Sequence, residues 1–549
     1  MFGAGGGTSS YREVEGTDVV LLWGSNARET HPIFFHHVLK AIHRGARLYV
    51  VDPRRTSSAK WADAWVPLRV GTDIALASAV AHVIVRDGLV NESFVARATA
   101  GYEAWRDAVA AWTPARAESV TRVPAALIER MARDYARADR AMICWTLGIT
   151  EHHNAVDNVL SLINLALATG HVGRWGSGLN PLRGQNNVQG GGDMGALPYK
   201  LPGFQDVEDP DARGRYEKLW GATIPPRKGW TLTQMFEAMH RRDLRALYVI
   251  GENPAQSEAD SGRALKLLGG LDFMVVQDLF LTKTARMAHV VLPASSAWSE
   301  GEGTVTNSER RVQRVRAATL PPGEARDDLW ILAELSRRLG FDLGHPTAQE
   351  LWDEMRAESP MHRGMSYAKL EAHGGIQWPC PDEESLGAPF LHGRLWAEPR
   401  VGEAAPFSVV EHAEPVDPVT PEFPLTLTTG RRLDSYNTGV QTSGFKSPMR
   451  RGETVDVSPE DARALGLRDG QRVRVVSRRG SIVAPVRVDE GLPTGTVFMT
   501  FHFPDEVDTN VLTIDATDPR SGTAEFKAAA VRLEVPAAAI MEYASAGES

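Results

Sequence analysis

Two strands and an intervening helix are predicted near the start of the chain. Residues 18–23, DVVLLW, form a continuous apolar run that is typical of a buried parallel strand, and a polar turn follows it. Apolar residues at helical spacing predict a helix over residues 32–46, and another apolar run predicts a strand over residues 47–51. Because ligands of βαβ units bind beyond the carboxyl ends of the strands, a binding site is predicted at residues 24–30 and 52–55.

A second unit of the same kind is predicted over residues 246–278. Its glycine and acid stand at a similar spacing, since 28 residues separate Gly24 from Asp52 and 27 separate Gly251 from Asp278. An acid at the end of the second strand can accept hydrogen bonds from a ribose or from the donors of guanine. A helix-capping turn explains either copy alone, but the repeat favours two nucleotide-binding halves.

The pattern changes after residues 401–424, which are rich in proline and acids. One short helix is predicted there, with Ser458 as N-cap, Pro459 at its first position and Asp461 at the capping-box position. Short strands separated by glycine turns imply a barrel. The predicted strands cover residues 425–429, 454–457, 472–477, 481–488 and 496–500, and the expected ligand loops cover residues 429–442, 501–510 and 522–527.

A glycine-rich stretch stands apart from both periodic patterns. Residues 178–198, GLNPLRGQNNVQGGGDMGALP, carry no apolar period, so neither an ordinary strand nor a helix is predicted there. Arg183 is the one cation in this run, and its guanidinium fork suits bidentate capture of a small carboxylate or phosphate. The stretch is interpreted as a site loop, although its composition alone is equally compatible with a solvated surface loop.

Composition narrows the function classes. The 549 residues are 43% hydrophobic and 23% charged, as in ordinary globular proteins, and the net charge of -9 argues against nucleic acid as a partner. The longest apolar stretch, residues 160–169, is too short to span a bilayer. Nothing at the N-terminus resembles a signal peptide, so a cytoplasmic location is expected.

The chain has two cysteines, Cys144 and Cys380, which are far apart. This number and spacing predict no disulfide framework, no structural zinc site and no cysteine-ligated iron–sulfur cluster within the chain. A glycine run at residues 3–7 is not preceded by a strand, so it does not meet the requirements of a dinucleotide fingerprint.

Taken together, the motifs resemble those of formate dehydrogenase alpha subunits, in the dimethyl sulfoxide reductase family of molybdopterin oxidoreductases. The resemblance runs through essentially the whole chain, and its most specific motifs are WGSNARETHP, VDPRRT, RGQNNVQGGGDMGALP, GENP, EGTVTNSERRVQ, ETVDVSPEDA and FHFPDEVDTNVLT. It implies an α/β fold with two pseudosymmetric Rossmann-like dinucleotide-binding domains and a C-terminal six-stranded double-psi β-barrel. The corresponding domains are expected at residues 1–185, 186–415 and 416–549.

The resemblance also implies an activity. Such enzymes oxidise formate to carbon dioxide at molybdenum or tungsten held by two molybdopterin guanine dinucleotides, and they pass electrons to iron–sulfur or flavin subunits. Family members carry a cysteine-ligated [4Fe–4S] segment and a cysteine or selenocysteine metal ligand before the point that corresponds to Met1. The expectation is therefore a C-terminal piece, either truncated or completed by a separate N-terminal iron–sulfur segment.

The resemblance assigns roles to residues at matching positions. It implies that Arg183 holds formate, with Gln185 beside it, and it assigns no metal ligand within this sequence. One dinucleotide is expected to contact Asn26, Glu29, Thr30, Asp52 and Asp73. The other is expected to contact Leu147, Gly148, Glu252, Asn253 and Asp278. Further expected cofactor contacts are Arg54, Gly71 and Thr282, together with Arg431, Asn510 and Lys527 of the barrel as pterin or phosphate contacts.

Three alternatives remain open at this point. The same fold could act on nitrate or another small oxyanion, which the RGQNN run disfavours. A catalytically inactive paralogue could serve as a structural subunit of an electron-transfer complex, which the intact Arg183 stretch and the two nucleotide turns disfavour. A nicotinamide-dependent dehydrogenase is the weakest, because no strand–GxGxxG–helix segment exists in the sequence.

Overall fold

The computed structural model describes residues 2, 4–433, 435–438 and 452–535. In this part of the chain the first sheet has five parallel strands, and its central strand Val19–Trp23 lies between Arg47–Val51 and Ala141–Trp145. The outer strands are Ala64–Val66 and Gly178–Pro181. Since Trp23 lies opposite both Val51 and Trp145, the segments that follow these strands leave the sheet along one edge.

Alternate residues of the central strand enter two different cores. Val19, Leu21 and Trp23 join one hydrophobic cluster, whereas Val20 and Leu22 join another on the opposite face. A strand buried on both faces requires a continuous apolar run, which explains why the sequence predicted it. The helices of this unit are Ala27–Thr30, Pro32–His43, Asp73–Arg86, Glu92–Ala98, Tyr102–Val109, Pro114–Thr121, Ala125–Arg137, Leu147–Thr150 and Ala155–Thr169.

The second parallel sheet is smaller. Among the described residues it has three strands, in the order Val290–Pro293, Phe273–Asp278 and Ala246–Ile250. One face packs through Met274 and Val276 against a cluster that includes Phe236 and Leu268. The helices that contribute to this unit are Leu232–His240, Pro254–Ser257, Ser261–Gly269 and Lys283–Met287.

Other elements join these units. An antiparallel sheet contains Gly303–Thr306, Arg311–Val315 and Ile376–Gln377, and two short pairs join Thr99–Ala100 to Ala405–Pro406 and Lys200–Leu201 to Gln205–Asp206. The further α-helices are Val188–Asp193, Pro210–Trp220, Asp328–Arg338, Ala348–Glu358 and Tyr367–His373. Short 3-10 helices span Arg12–Gly16, Ala59–Trp61, Pro202–Phe204, Gly393–Trp396 and Thr509–Val511. Within the described ranges, no helix combines the length and apolarity needed to cross a bilayer.

The C-terminal part forms a closed barrel. Its strands in the described residues are, in barrel order, Leu425–Gly430, Thr496–Thr500, Val455–Val457, Ser481–Val488, Arg472–Ser477 and Ala529–Glu534. The helix Pro459–Ala464 begins as predicted, because the Ser458 hydroxyl accepts a hydrogen bond from the Asp461 N–H at 3.0 Å. The predicted fold class, two Rossmann-like units followed by a six-stranded barrel, is confirmed.

Three sequence predictions need correction or restriction. The prediction that residues 178–198 contain neither strand nor helix is wrong, because Gly178–Pro181 pairs with the first sheet and Val188–Asp193 is helical. For Gly178–Pro181, backbone pairing with a neighbouring strand produces the regular structure without an apolar period. Of the expected ligand loop 429–442, residues 434 and 439–442 lie outside the described residues. The domain bounds 1–185, 186–415 and 416–549 stay a prediction.

Candidate functional site

A deep cleft separates the carboxyl edge of the first sheet from the barrel. Its volume, which includes space that is open to solvent, is about 1270 Å³. Its walls bring together many of the residues that the sequence singled out, although they are distant along the chain. Those residues are Asn26, Glu29, Thr30, Asp52, Arg54, Gly71, Asp73, Leu147, Gly148, Gln185, Arg431 and Lys527.

The floor of this cleft is a contact between two backbone turns. Gly24 has a φ of +57°, and a Cβ on Gly148 would lie 2.6 Å from the Gly24 Cα. The Gly148 N–H donates to the Gly24 carbonyl at 3.2 Å, and the Thr146 hydroxyl donates to the same oxygen at 2.7 Å. Only glycine at both positions permits this approach, so the turns after two neighbouring strands lie in direct backbone contact at the cleft.

Two carboxyl groups face the cleft beside these turns. Asp52 accepts a hydrogen bond from the Arg54 N–H at 2.9 Å, and Asp73 accepts one from the Trp23 indole N–H at 2.8 Å. Burial raises the pKa of Asp52 to about 6, and it also raises the pKa of Asp73. Carboxylates that lose solvent in this way gain from ligand donors such as a ribose hydroxyl or a guanine N–H.

A second group of predicted contacts lies at the carboxyl end of the second sheet. Glu252, Asn253, Asp278 and Thr282 occupy this region. The Asn253 side-chain oxygen accepts hydrogen bonds from the Thr284 N–H and hydroxyl. Asn510 of the barrel reaches the same turn, where its amide donates to the Gln256 carbonyl at 3.0 Å.

The structure places apart some residues that were expected to bind the same dinucleotide. Leu147 and Gly148 were expected to share a dinucleotide with Glu252, Asn253 and Asp278, yet they lie in the first cleft beside Gly24. The first cleft therefore contains residues from both predicted sets. The assignment of each residue to a dinucleotide stays a prediction.

Arg183 lies next to the first cleft, between two residues that line it, Leu182 and Gly184. Its Nη2 donates to the Gly5 carbonyl at 2.9 Å, and its Nε donates to the Gln189 side-chain oxygen at 3.3 Å. Among the described residues, Nη1 has no hydrogen-bond acceptor. Burial lowers the pKa of Arg183, and the charge of Asp193 opposes this effect. The guanidinium is thus partly buried, and some of its N–H groups have no acceptor among the described residues.

The glycine run near the N-terminus has a packing role. A Cβ on Gly5 would lie 2.5 Å from the Phe204 ring, so a larger residue at this position would have to displace that ring. The described residues contain no group of three or more His, Cys, Asp and Glu side chains suited to hold a metal ion. Both cysteines are buried and free, and burial raises the pKa of Cys144 to about 12, as expected of an inert core residue.

Family comparisons agree with this geometry. Residues 4–338 match the family described as molybdopterin oxidoreductase, and residues 425–530 match the family described as "Molydopterin dinucleotide binding domain". The chain belongs to the molybdopterin oxidoreductase family. The predicted family and molybdopterin binding are thereby confirmed, at the level of the family.

Two formate dehydrogenases and one solved structure are similar to the chain over most of its length. The chain is 42% identical over 540 residues to the F420-dependent formate dehydrogenase 2 alpha subunit of Methanococcus maripaludis, a match that covers 97% of this chain and 78% of that protein. It is 36% identical over 538 residues to formate dehydrogenase H of Escherichia coli, covering 97% and 75%. The acetylene hydratase of Pelobacter acetylenicus has the same fold, with a TM-score of 0.75 at 21% identity over 97% of this chain and 80% of that one.

The cations of the cleft fit a molybdopterin dinucleotide. Arg431 Nη1, Arg432 Nε and Nη1, and the Ser435 hydroxyl are buried without a hydrogen-bond partner among the described residues. Arg54 lies over the Phe498 ring at 3.4 Å from its centroid. Buried donors without acceptors are costly, and phosphate or pterin oxygens would satisfy them. Arg432 was not singled out from the sequence, although it directly follows Arg431.

An ion-paired network joins the barrel to the first unit of this molybdopterin oxidoreductase. Lys527 Nζ lies 2.7 Å from a Glu151 carboxylate oxygen and donates to the Thr429 carbonyl at 3.1 Å. The Glu525 carboxylate lies 3.2 Å from His152 Nδ1 and accepts the His153 N–H at 3.0 Å. Sequence reasoning missed this contact, because its partners are 373 residues apart.

The His152–Glu525 pair should make stability depend on pH. Burial lowers the pKa of His152, but Glu525 outweighs that effect, so the pKa of His152 is raised overall. Burial raises the pKa of Glu525, but His152 and His153 outweigh that effect, so the pKa of Glu525 is lowered overall. The Glu525 contribution is lost as the pH falls through its lowered pKa. The His152 contribution is lost as the pH rises through its raised pKa. Glu525→Gln should therefore cost about 3 kcal/mol near pH 5–6 and less at higher pH.

Thermal unfolding of protein produced without molybdate or tungstate measures this difference. Glu490→Gln, a change at an exposed turn of the barrel, is the matched control and should leave unfolding unchanged. An effect of Glu525→Gln that is constant with pH, or that grows above neutrality, would show that the pair is not ionised as described.

Proposed function

We propose that this chain is the catalytic part of a formate dehydrogenase, in which formate is oxidised to carbon dioxide. The observation that carries the proposal is the Arg183 guanidinium. It lies partly buried beside the cleft, with N–H groups that no described residue accepts. The formate dehydrogenase names of the similar proteins support the same substrate.

The chain's own residues position the substrate. Oxidation of formate releases carbon dioxide, one proton and two electrons, and a molybdenum or tungsten molybdopterin group supplies the two-electron acceptor. Arg183 binds the formate carboxylate through its open N–H groups and so orients the C–H bond. His31 Nε2 lies 2.6 Å from the Arg183 carbonyl, and the Ser308 hydroxyl accepts the Arg183 N–H at 2.9 Å, so the backbone at this position is held on both sides. Gln185, two residues after Arg183, lines the cleft with a polar side chain.

The finer identity of the cofactor is part of the same proposal. Two molybdopterin guanine dinucleotides would occupy the chain, one along Asp52 and Asp73 in the first cleft and one at Glu252 and Asp278. The carboxylates at these ends are suited to ribose and guanine donors, and Arg54, Arg431 and Lys527 are suited to phosphate and pterin oxygens. The electrons would leave through an iron–sulfur or flavin subunit.

A substrate panel tests this function. The protein, with its metal and pterin content measured, would be assayed with formate and a dye as electron acceptor, and with nitrate and a reduced dye as electron donor. We expect formate oxidation in proportion to bound metal and at least about tenfold faster turnover than with nitrate, since a site built for one anion discriminates by more than about 1.4 kcal/mol. Nitrate reduction without formate oxidation would replace the proposal. Metal-loaded protein inactive on both would support a structural subunit.

A further inference from the structure

Behind Arg183 lies a buried chain of polar side chains that do not line the cleft. Gln189 accepts from Arg183 Nε through its Oε1, and its Nε2 donates to Asp193 Oδ1 at 3.0 Å. Asp193 Oδ2 accepts the indole N–H of Trp378 at 3.0 Å. Gln189 is 3% exposed and Asp193 is 1% exposed, so solvent has almost no access to these bonds.

The direction of these hydrogen bonds is set by Asp193. A carboxylate only accepts hydrogen bonds, so the Gln189 amide must present its NH₂ group to Asp193. The amide oxygen is then forced to face Arg183, where it accepts the Nε–H. If the amide were reversed, its NH₂ group would meet the Nε–H as one donor facing another. The Asp193 carboxylate therefore determines which end of the Gln189 amide faces the guanidinium.

The second carboxylate oxygen of Asp193, which accepts from Trp378, also faces His362. His362 Nε2 lies 3.8 Å from Asp193 Oδ2, beyond hydrogen-bond distance, and the His362 Nδ1 is 2.8 Å from the Ser359 hydroxyl. Trp378 packs in a hydrophobic cluster with Trp352 and Met365. This cluster is distinct from those that pack against the two parallel sheets, and Trp378 links Asp193 to it.

We propose that Asp193 is a positioning residue for formate oxidation, which acts through Gln189 to fix the orientation of the Arg183 guanidinium without touching the substrate. The inference rests on the proposed role of Arg183. Its consequence is that the open N–H groups of Arg183 face a single direction, and that the formate affinity depends on a carboxylate two side chains away.

A double-mutant cycle tests this relay, because the hydrogen-bond directions can be broken and restored. Asp193→Asn can keep its oxygen on Trp378 and offer its NH₂ group to Gln189, which reverses the Gln189 amide against Arg183. Gln189→Glu brings two carboxylates together and removes the donor to Asp193. With both changes, the new amide at position 193 donates to the new carboxylate at position 189. That carboxylate accepts from Arg183 Nε, so every hydrogen bond is satisfied again. A change that merely loosened the fold would not be rescued in this way.

We expect each single variant to lower kcat/KM for formate about tenfold or more, mainly through KM, and the double variant to recover to within about threefold of the parent. Asp211→Asn, at an exposed helix position, is the matched control and should keep parental kinetics. Metal content, thermal unfolding and a crystal structure of each loaded variant supply readouts other than activity. The structures should show the guanidinium moved in the single variants and returned in the double variant.

Two outcomes would overturn the relay. Parental kinetics in Asp193→Asn would do so, and so would a double variant no better than the worse single variant. Arg183→Ala, measured in the same series, distinguishes this failure from failure of the proposed function. If that variant retains formate oxidation, the function of Arg183 and the relay are both wrong. If it is inactive while the cycle shows no rescue, only the relay is wrong.

Discussion

Replacing Arg183 with alanine is expected to lower kcat/KM for formate by about a thousandfold while the protein keeps its metal and guanine nucleotide. The guanidinium lies beside the cleft, and among the described residues its Nη1 has no hydrogen-bond acceptor. Without it, the carboxylate of formate has neither a counter-charge nor a fixed orientation. The cofactor contacts proposed for the cleft do not include this side chain, so loading should be unaffected.

Graded variants make this prediction sharper. Arg183→Lys keeps the charge but loses the planar fork, so it should fall between parent and alanine variant. Arg227→Ala, which removes an exposed arginine, is the matched control and should have no effect. Parental kinetics in Arg183→Ala would refute the substrate assignment. An inactive variant that has also lost its metal would instead place Arg183 among the cofactor contacts.

Replacing Arg431 with glutamine is expected to lower the affinity of the protein for its cofactor. Its Nη1 is buried with no acceptor among the described residues, and its guanidinium lies 5.1 Å from the Phe501 ring centroid. A charge-assisted hydrogen bond to a phosphate or pterin oxygen is worth about 1.5–3 kcal/mol, so affinity should fall about tenfold to a hundredfold. The cofactor-free protein should be no less stable, because an unpaired buried donor has been removed.

Two measurements on the same preparations separate binding from folding. Metal and guanine nucleotide per chain should fall in Arg431→Gln, whereas thermal unfolding of the cofactor-free protein should be unchanged or slightly higher. Arg463→Gln, at an exposed position on the Pro459–Ala464 helix, should alter neither quantity. Full loading of Arg431→Gln would remove this residue from the cofactor site, and a marked loss of cofactor-free stability would give it a structural role instead.

The parts of the fold that follow from local pattern were predictable. The strand Val19–Trp23 is buried on both faces, and the helix after Ser458 has a cap that depends only on adjacent residues. The barrel strand Ala529–Glu534 was missed, since its three buried residues precede three partly exposed ones and give no alternation. The Gly178–Pro181 strand was missed because its regularity comes from a neighbouring strand.

Some residues of the candidate site could also be predicted from the sequence, and others could not. The turns at Gly24 and Gly251 could be found from spacing, and the resemblance supplied the rest of the cleft residues. The support behind Arg183 could not be found, because Trp378 and Asp193 are 185 residues apart and their contact exists only in the folded chain. The His152–Glu525 contact is of the same kind. Contacts of this type carry no local signal in a single sequence.

A crystal structure of the metal-loaded protein with bound formate tests the proposed site. We expect a pterin dinucleotide in the cleft between the first sheet and the barrel, with phosphate or pterin oxygens on Arg431. We also expect a formate oxygen within about 3 Å of an Arg183 guanidinium nitrogen. A loaded protein in which neither dinucleotide lies in this cleft, or in which formate has no contact with Arg183, would contradict the proposal.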